Sequence, residues 1–328
     1  MILLISIIYN KYMARQASNK LLQKAKKSKS DEFYTQLCDI ESELQYYPYC
    51  FVNKVVYCNC DDPQVSNFFR YFRDNFQRLG LRKLIASFYR ENESQIQSNG
   101  NAYYCEYEGD NIPMRITQFV GNGDFRSQEC IDLLQQADVV VTNPPFSLFR
   151  EFVTQIVHHD KQFLVIGNVN AITYKEIFDL IQNDNAWLGV NLGRGISGFI
   201  VPEHYDLYGT EVRINEVGQR IIATNGCLWL TNLELNQRHE DIILIKEYIG
   251  NEDKYPKYDN CDGINVNRTQ DIPKDYPGLM GVPITFLHKY NPDQFEIVKF
   301  RKGDDDKDLR INGKCPYFRI LIRNRRLN

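Results

Sequence analysis

The pattern of apolar and polar positions switches between two periods along the first two thirds of the chain. Continuous apolar runs predict buried strands at 54–60, 82–89, 138–141 and 161–170, because a strand covered on both faces of a parallel sheet shows no polar alternation. Two more strands are predicted at 114–125 and 227–235. Apolar residues recur at helical spacing in 127–137, 147–159 and 173–183. Strands that alternate with helices predict a doubly wound α/β sheet.

Local signals predict two further helices. Asp62 is a candidate N-cap with Pro63 at the first helical position, and Gly80 is the expected stop. This helix would bury one apolar face, formed by Val65, Phe68, Phe69, Phe72, Phe76 and Leu79. Nearer the N-terminus, apolar spacing predicts a helix that includes Phe33, Leu37, Ile40 and Leu44. The polar stretch 90–111 is expected to be an insertion.

The composition changes at about residue 236, where segments rich in Pro, Asn, Asp and Tyr replace the alternating pattern. We therefore expect an N-terminal extension with a basic arm at 1–30, an α/β domain at 31–235 and a separate region at 236–328.

The stretch "DVVVTNPPF" is the strongest chemical signal. Val139, Val140 and Val141 predict a strand buried on both faces, and ligands of open α/β sheets bind beyond the carboxyl ends of such strands. The prolines remove two N–H donors and hold Asn143 extended, which leaves the Asn143 side-chain oxygen and the Pro144 carbonyl as acceptors. Acceptors beside the flat ring of Phe146 suit a planar substrate with an amino group.

Charge and cysteine usage limit the alternatives. The formal net charge of the 328 residues is −3, so affinity for nucleic acid has to come from local patches. Residues 11–36 carry seven basic residues against two acidic ones, and residues 299–328 carry ten against four. The nine cysteines lack metal-ligand spacing, which predicts reduced thiols in a cytoplasmic protein without a metal. The apolar segment "MILLISIIYN" is too short to span a bilayer, and we expect translation to begin at Met13.

The chain resembles the adenine-specific DNA methyltransferases of the EcoRI type, from Met13 to the C-terminus. The resemblance lies in "KSDEFYTQ", "YCNCDDP", "GDF", "VVTNPPFSLFREF", "WLGVNLGRG", "SGFIVPEHY", "KYDN" and "VPITFLHK". It implies a Rossmann-like domain that binds S-adenosyl-L-methionine and methylates N6 of a flipped adenine in double-stranded DNA, with 236–328 as the target-recognition region. The expected site is GAATTC, within a type II restriction-modification system whose endonuclease makes no stable contact with the enzyme.

The resemblance also assigns roles to residues. It implies that Asn143, Pro144, Pro145 and Phe146 are the catalytic motif, and that Phe33, Tyr34 and Thr35 line the methionine end of the cofactor. Asp124 would accept from the cofactor's adenine amine, with Phe125 beside its ring. Phe199 is a candidate for the opposite face of the target base, although an ordinary core aromatic is the more frequent role. Lys26, Lys27 and Lys29 are the candidate phosphate contacts.

One segment departs from most adenosylmethionine enzymes, because "YCNCDDP" follows the first strand without any glycine. The contact to the cofactor then falls to Asn59, Cys60 or Asp61, and Asp61 could pair with the cofactor's amino group. Two other functions use the same features. A protein-glutamine or RNA methyltransferase could hold a planar amide or amine at the same corner, and a catalytically silent module would bind nucleic acid alone. We expect a monomer without membrane association.

Overall fold

The structure is a computed structural model that describes residues 33–90, 102–191, 196–201, 212–222 and 226–327. The chain divides into two compact units. The first comprises the described parts of Met1–Ile177 and Gly189–Glu234, and the second comprises Phe178–Leu188 and the described part of Leu235–Asn328. This division concerns compactness alone, and the functional roles expected for 1–30, 31–235 and 236–328 stay predictions.

The described residues form seventeen strands. In chain order these are β1 (Tyr34–Thr35), β2 (Val55–Cys58), β3 (Lys83–Phe88), β4 (Tyr103–Tyr107), β5 (Arg115–Gln118), β6 (Val139–Thr142), β7 (Gln162–Asn168), β8 (Trp187–Leu188), β9 (Phe199–Val201), β10 (Val212–Ile214), β11 (Arg220–Ile222), β12 (Cys227–Thr231), β13 (Lys257–Tyr258), β14 (Cys261–Asn265), β15 (Leu279–Pro283), β16 (Phe295–Phe300) and β17 (Arg319–Asn324). The α-helices are α1 (Leu37–Leu44), α2 (Asn67–Asp74), α3 (Phe76–Leu79), α4 (Gln128–Gln136), α5 (Phe149–His158) and α6 (Lys175–Gln182).

Seven strands of the first unit lie in the order β5-β4-β3-β2-β6-β7-β12. The central strands β3, β2, β6 and β7 are parallel, while β4, β5 and β12 run antiparallel to their neighbours. Val139, Val140 and Val141 are fully buried in β6, which confirms the strand predicted from the valine run. The fold is therefore mixed α/β, and β2 and β6 are neighbours whose carboxyl ends lie at the same edge of the sheet.

Two predicted helix starts are wrong. The helix expected from Asp62 begins at Asn67 with Ser66 as its N-cap, and Val65 lies before it and is 56% exposed. The reason is a local hydrogen bond, since the Asp62 carboxylate accepts from the Gln64 N–H at 2.9 Å and so stabilises a turn. The predicted stop is confirmed, because Gly80 adopts a left-handed φ of 64° at the end of α3.

The second wrong start is Phe33, which lies outside α1. Tyr34 and Thr35 instead form β1, which pairs with β9 in a small sheet of order β1-β9-β11-β10. The predicted insertion at 90–111 also contains β4, which pairs with β3. For β1, sheet pairing overrides the helical spacing, because a partner strand more than a hundred residues away cannot be read from a local period.

The second unit contains a five-stranded sheet of order β13-β14-β15-β17-β16. Its strands are antiparallel except for the parallel pair β14 and β15. Within the described parts of both units, no helix has the length and apolar character needed to cross a membrane. The structure describes all nine cysteines, and none of them forms a disulfide bond.

Candidate active site

The site lies where β2 and β6 end. Asn59 and Asp61 follow β2, and Asn143 follows β6. The Thr142 hydroxyl donates to the Asn59 backbone carbonyl, which joins the two strand ends directly. Thr142 was not among the predicted site residues, and no one-dimensional signal marks it, because its partner lies 83 positions away.

In the Asn143 amide, the nitrogen has a hydrogen-bond partner and the oxygen has none among the described groups. Its Nδ2 donates to the Phe33 backbone carbonyl at 2.7 Å, which fixes the orientation of the amide because a carbonyl can only accept. Its Oδ1 is buried and has no hydrogen-bond partner among the described groups. A buried acceptor without a partner costs about 1–3 kcal/mol. This oxygen is therefore placed to accept from a ligand.

Three aromatic rings surround this corner. Phe33 stacks on Phe146 with ring centroids 6.0 Å apart, and it lies 6.0 Å from Phe199. Phe146 meets Phe199 edge-on at 5.7 Å. Since a planar base between two rings needs about twice the ~3.5 Å contact distance, the two rings have to separate before they can hold a base between them. Phe199 is 1% exposed and packs as a core aromatic here.

A second buried polar atom without a partner lies on β1. Thr35 is 2% exposed, and its Oγ1 makes no hydrogen bond to any described group. Its backbone carbonyl accepts from the Asn67 side chain at 2.8 Å, which ties β1 to the first residue of α2. Thr35 and Asn143 thus each carry a buried polar atom without a partner, Thr35 two residues after Phe33 and Asn143 hydrogen-bonded to the Phe33 carbonyl.

The turn after β2 contains no glycine, and a cysteine takes a left-handed backbone conformation there. Cys60 adopts a left-handed φ of 61°, a conformation that glycine adopts at lower cost. Asn59 is buried, and its Oδ1 accepts from the Ser87 hydroxyl at 3.0 Å. Asp61 accepts from the Ser66 hydroxyl, and burial raises the pKa of Asp61 to about 7. Burial thus favours the neutral form of the Asp61 carboxyl, and a cationic ligand would favour its ionised form.

Asp124 is held by its neighbour Arg126. The guanidinium donates to both carboxylate oxygens, at 2.8 and 2.6 Å, and these hydrogen bonds lower the pKa of Asp124. The carboxylate stays ionised and keeps lone pairs for a further donor. Phe125 is 3% exposed and packs edge-on against Phe152 at 5.1 Å, so its ring lies largely in the core.

The two basic segments differ in what the structure says of them. Lys26, Lys27 and Lys29 lie outside the described residues. In the C-terminal segment, seven of the ten basic residues lie within ion-pair distance of an acidic residue, namely Lys299, Arg301, Lys302, Lys307, Arg310, Arg323 and Arg326. Arg319 is buried and donates to Asn265. These ion pairs reduce the positive charge of the segment but do not remove it, because only Glu296 and Asp241 are acids from outside the segment.

An open acceptor at the end of a parallel strand, with aromatic rings beside it, is an arrangement that suits a planar ligand with an amino group. Comparison with known proteins identifies the class. Residues 21–325 match the family model described as "Adenine-specific methyltransferase EcoRI". The chain is 65% identical to Type II methyltransferase M.EcoRI of Escherichia coli over 324 residues, covering 96% of this chain and 99% of that protein.

Two mycoplasma proteins are also similar over nearly their whole length. Type II methyltransferase M.MpnI of Mycoplasma pneumoniae is 40% identical, covering 92% of this chain and 97% of that protein. Type II methyltransferase M.MgeORF184P of Mycoplasma genitalium is 38% identical, covering 93% and 98%. No solved structure matches the chain.

The chain belongs to the EcoRI family of adenine-specific methyltransferases. It is an adenine-specific DNA methyltransferase of the type II restriction-modification class, and its methyl donor is S-adenosyl-L-methionine. The predicted family and activity are confirmed, which excludes the alternative of a protein-glutamine or RNA methyltransferase. The roles of individual residues stay predictions.

Proposed function

We propose that this enzyme methylates N6 of adenine within GAATTC and so protects DNA from an endonuclease that cuts the same site. The 65% identity to M.EcoRI over nearly the full length supports this target. The observation that carries the chemistry is the buried Asn143 Oδ1 without a partner. The parallel order β3-β2-β6-β7 supports a Rossmann-like sheet whose switch point, where ligands bind, falls between β2 and β6.

In this proposal the catalytic motif 143–146 acts on the target amine. Asn143 Oδ1 and the Pro144 carbonyl accept the two amine hydrogens, which localises the nitrogen lone pair and makes the nitrogen nucleophilic. Pro144 and Pro145 keep the corner rigid and free of competing N–H donors. Phe146 stacks on the flipped base, and Phe199 is the candidate for its other face.

The remaining site residues form the proposed cofactor pocket. S-adenosyl-L-methionine supplies an electrophilic methyl group when bound. The open Thr35 Oγ1 and the buried Asp61 carboxyl fit a ligand that carries both a carboxylate and an ammonium group. Phe33 and Tyr34 line the same end, while Asn59 shapes the turn. The ionised Asp124 accepts from the adenine amine beside Phe125.

The proposed DNA contacts lie at both ends of the chain. Lys26, Lys27 and Lys29 contact phosphates, which positions the enzyme without reading sequence. The region 236–328 reads the target, and the domain at 31–235 catalyses the transfer. We propose that the enzyme acts as a cytoplasmic monomer that depends on no metal and makes no stable contact with the endonuclease.

Incubation of unmethylated DNA with the enzyme and labelled cofactor tests the target. We expect label at one adenine per strand of each GAATTC and protection of these sites from cleavage at GAATTC. Sites with one base changed should take up far less label, since each mismatched base pair costs about 1–3 kcal/mol. Uniform labelling of adenines, or labelling of a different site, would overturn the GAATTC assignment.

Phe146→Ala is expected to weaken capture of the flipped adenine, because stacking of a base on an aromatic ring contributes about 1–3 kcal/mol. Replacing the thymine opposite the target with a mismatched base makes extrusion easier and should partly restore the rate. The measurement is single-turnover methylation of matched and mismatched duplexes by both enzymes. Equal defects on the two duplexes would exclude a stacking role for Phe146.

A further inference from the structure

Helix α1 buries two carboxylates that the predicted chemistry does not use. Asp39 is 4% exposed, and Glu43 is fully buried. They lie four residues apart, so both face the same side of the helix. No described lysine or arginine forms an ion pair with either carboxylate, and burial raises the pKa of both. Only hydrogen bonds compensate the cost of burying these two groups.

Those hydrogen bonds come from the two ends of one chain segment, which runs from Gly189 to Gly198 and is described at both ends. At the first end, Glu43 accepts from the Val190 and Asn191 N–H groups at 2.9 and 2.7 Å. Gly189 permits this approach, since an added Cβ would lie 2.2 Å from the Glu43 carboxylate. Tyr47 orients the same carboxylate by donating to it at 2.9 Å.

At the other end, Asp39 holds Ser197. Its carboxylate accepts from the Ser197 N–H at 3.0 and 3.1 Å and from the Ser197 hydroxyl at 2.9 Å. Gln36, next to α1, donates to the Ser197 hydroxyl and to the Gly198 carbonyl at 2.6 and 3.1 Å. Gly198 has a φ of 137°, which favours glycine at this turn.

The segment ends directly before Phe199, which forms the aromatic corner together with Phe33 and Phe146. Phe199 follows Gly198, pairs with Thr35 across the β1–β9 ladder and contacts the rings of Phe33 and Phe146. Asp39 is thus connected to the corner through Ser197, two residues before Phe199.

We propose that Asp39 is a positioning residue for base capture: by holding Ser197 it sets the Phe199 ring against the catalytic corner, while Glu43 anchors the far end of the same segment. This inference rests on the proposed role of the aromatic corner in receiving the flipped adenine. It predicts that Asp39 affects capture of the DNA base through Phe199 and has little effect on the affinity for the cofactor.

The test compares Asp39→Ala, Phe199→Leu and the double variant, using DNA with 2-aminopurine at the target adenine, whose fluorescence rises on extrusion. Phe199→Leu keeps most of the apolar volume and removes the aromatic face. We expect each single variant to lower the extrusion signal and to slow single-turnover methylation of normal DNA by about tenfold, the scale of one lost stacking contact. The double variant should be no worse than Phe199→Leu alone, because residues that act through one contact are not additive. Cofactor affinity should stay within twofold of wild type.

Glu41→Ala is the matched control, since Glu41 is an exposed acidic residue on the same helix. It should leave extrusion, rate and cofactor affinity unchanged. Asp39→Asn keeps one acceptor oxygen and should show a smaller defect with the same dependence on Phe199, and it replaces Asp39→Ala in the comparison if that variant does not fold.

The outcomes separate the inference from the proposed function. If Phe199→Leu slows extrusion but the Asp39 variants do not, or if their effects multiply in the double variant, the positioning role of Asp39 is wrong. If Phe199→Leu extrudes and methylates as wild type does, the role of Phe199 in receiving the base is wrong. A parallel loss of cofactor affinity in the Asp39 variants would also contradict the inference.

Discussion

Asn143→Ala is expected to slow methyl transfer by roughly 100-fold to 1,000-fold, the typical loss when one preorganised electrostatic contact to the reacting group is removed. The variant loses the buried Oδ1 that has no other partner, so the target amine keeps its lone pair in the ring. Cofactor affinity should change little, because the amide acts on the base. Single-turnover kinetics at saturating cofactor give the rate, and a binding titration gives the affinity.

Asn75→Ala is a suitable control for the loss of an asparagine amide. Like Asn143, Asn75 is half-buried and donates through Nδ2 to a backbone carbonyl, that of Tyr71, at 2.8 Å. It lies between α2 and α3, away from the strand ends, so its loss should affect stability and leave the rate unchanged. An Asn143→Ala rate within threefold of wild type would show that Oδ1 does not activate the amine.

The central sheet and the catalytic corner could be predicted from the sequence because their signals are local. A run of three valines specifies a strand buried on both faces, and two prolines specify a rigid turn without donors. The end of α3 at Gly80 was predictable for the same reason, because many helices end in a left-handed residue and glycine adopts that conformation most easily. Each of these features depends on a few adjacent residues.

The contacts that complete the site are long-range, and no local pattern marks them. The Phe33 carbonyl that orients Asn143 lies 110 positions before it, and Phe33 was expected in a helix. Asp39 and Ser197 are 158 positions apart. Helical spacing places Asp39 and Glu43 on the same side of α1, but outside the apolar stripe formed by Leu37, Ile40 and Leu44. Their burial was therefore not predictable from the sequence, and neither was Ser197 as the partner of Asp39.

The formal charge of the C-terminal segment overstates its unpaired positive charge for a different reason. Ten basic residues against four acidic ones predict a positive surface, but a sequence count includes only the acids inside the counted window. Arg323 pairs with Glu296 and Arg326 with Asp241, both outside the window. Charges paired in this way gain less from contact with phosphates, because the existing partner has to be displaced. The unpaired charge available for DNA is smaller than the count implies.

Asn143→Asp is expected to slow methyl transfer at neutral pH, although less than Asn143→Ala does and although the side chain keeps its shape. The position now held by Nδ2 lies 2.7 Å from the Phe33 carbonyl oxygen, so a carboxylate would place an acceptor against an acceptor. Losing a hydrogen bond and leaving buried acceptors unpaired costs about 1–3 kcal/mol, more when one is charged, which corresponds to roughly a 10-fold to 100-fold slower reaction.

The pH dependence of Asn143→Asp should distinguish this cause from a general loss of structure. A protonated carboxyl can donate its O–H to the Phe33 carbonyl and accept from the amine with its other oxygen, which reproduces both functions of the amide. Repulsion from the Phe33 carbonyl and burial both favour this protonated form and raise its pKa. The active form therefore exists below that pKa and is lost as pH rises through it.

We expect the ratio of the variant rate to the wild-type rate, measured in single turnovers between pH 5 and 8, to increase as pH falls. Taking the ratio cancels ionisations common to both enzymes, including that of Asp61. A ratio that stays constant, or increases with pH, would mean that the Phe33 carbonyl does not determine which side chain this position accepts.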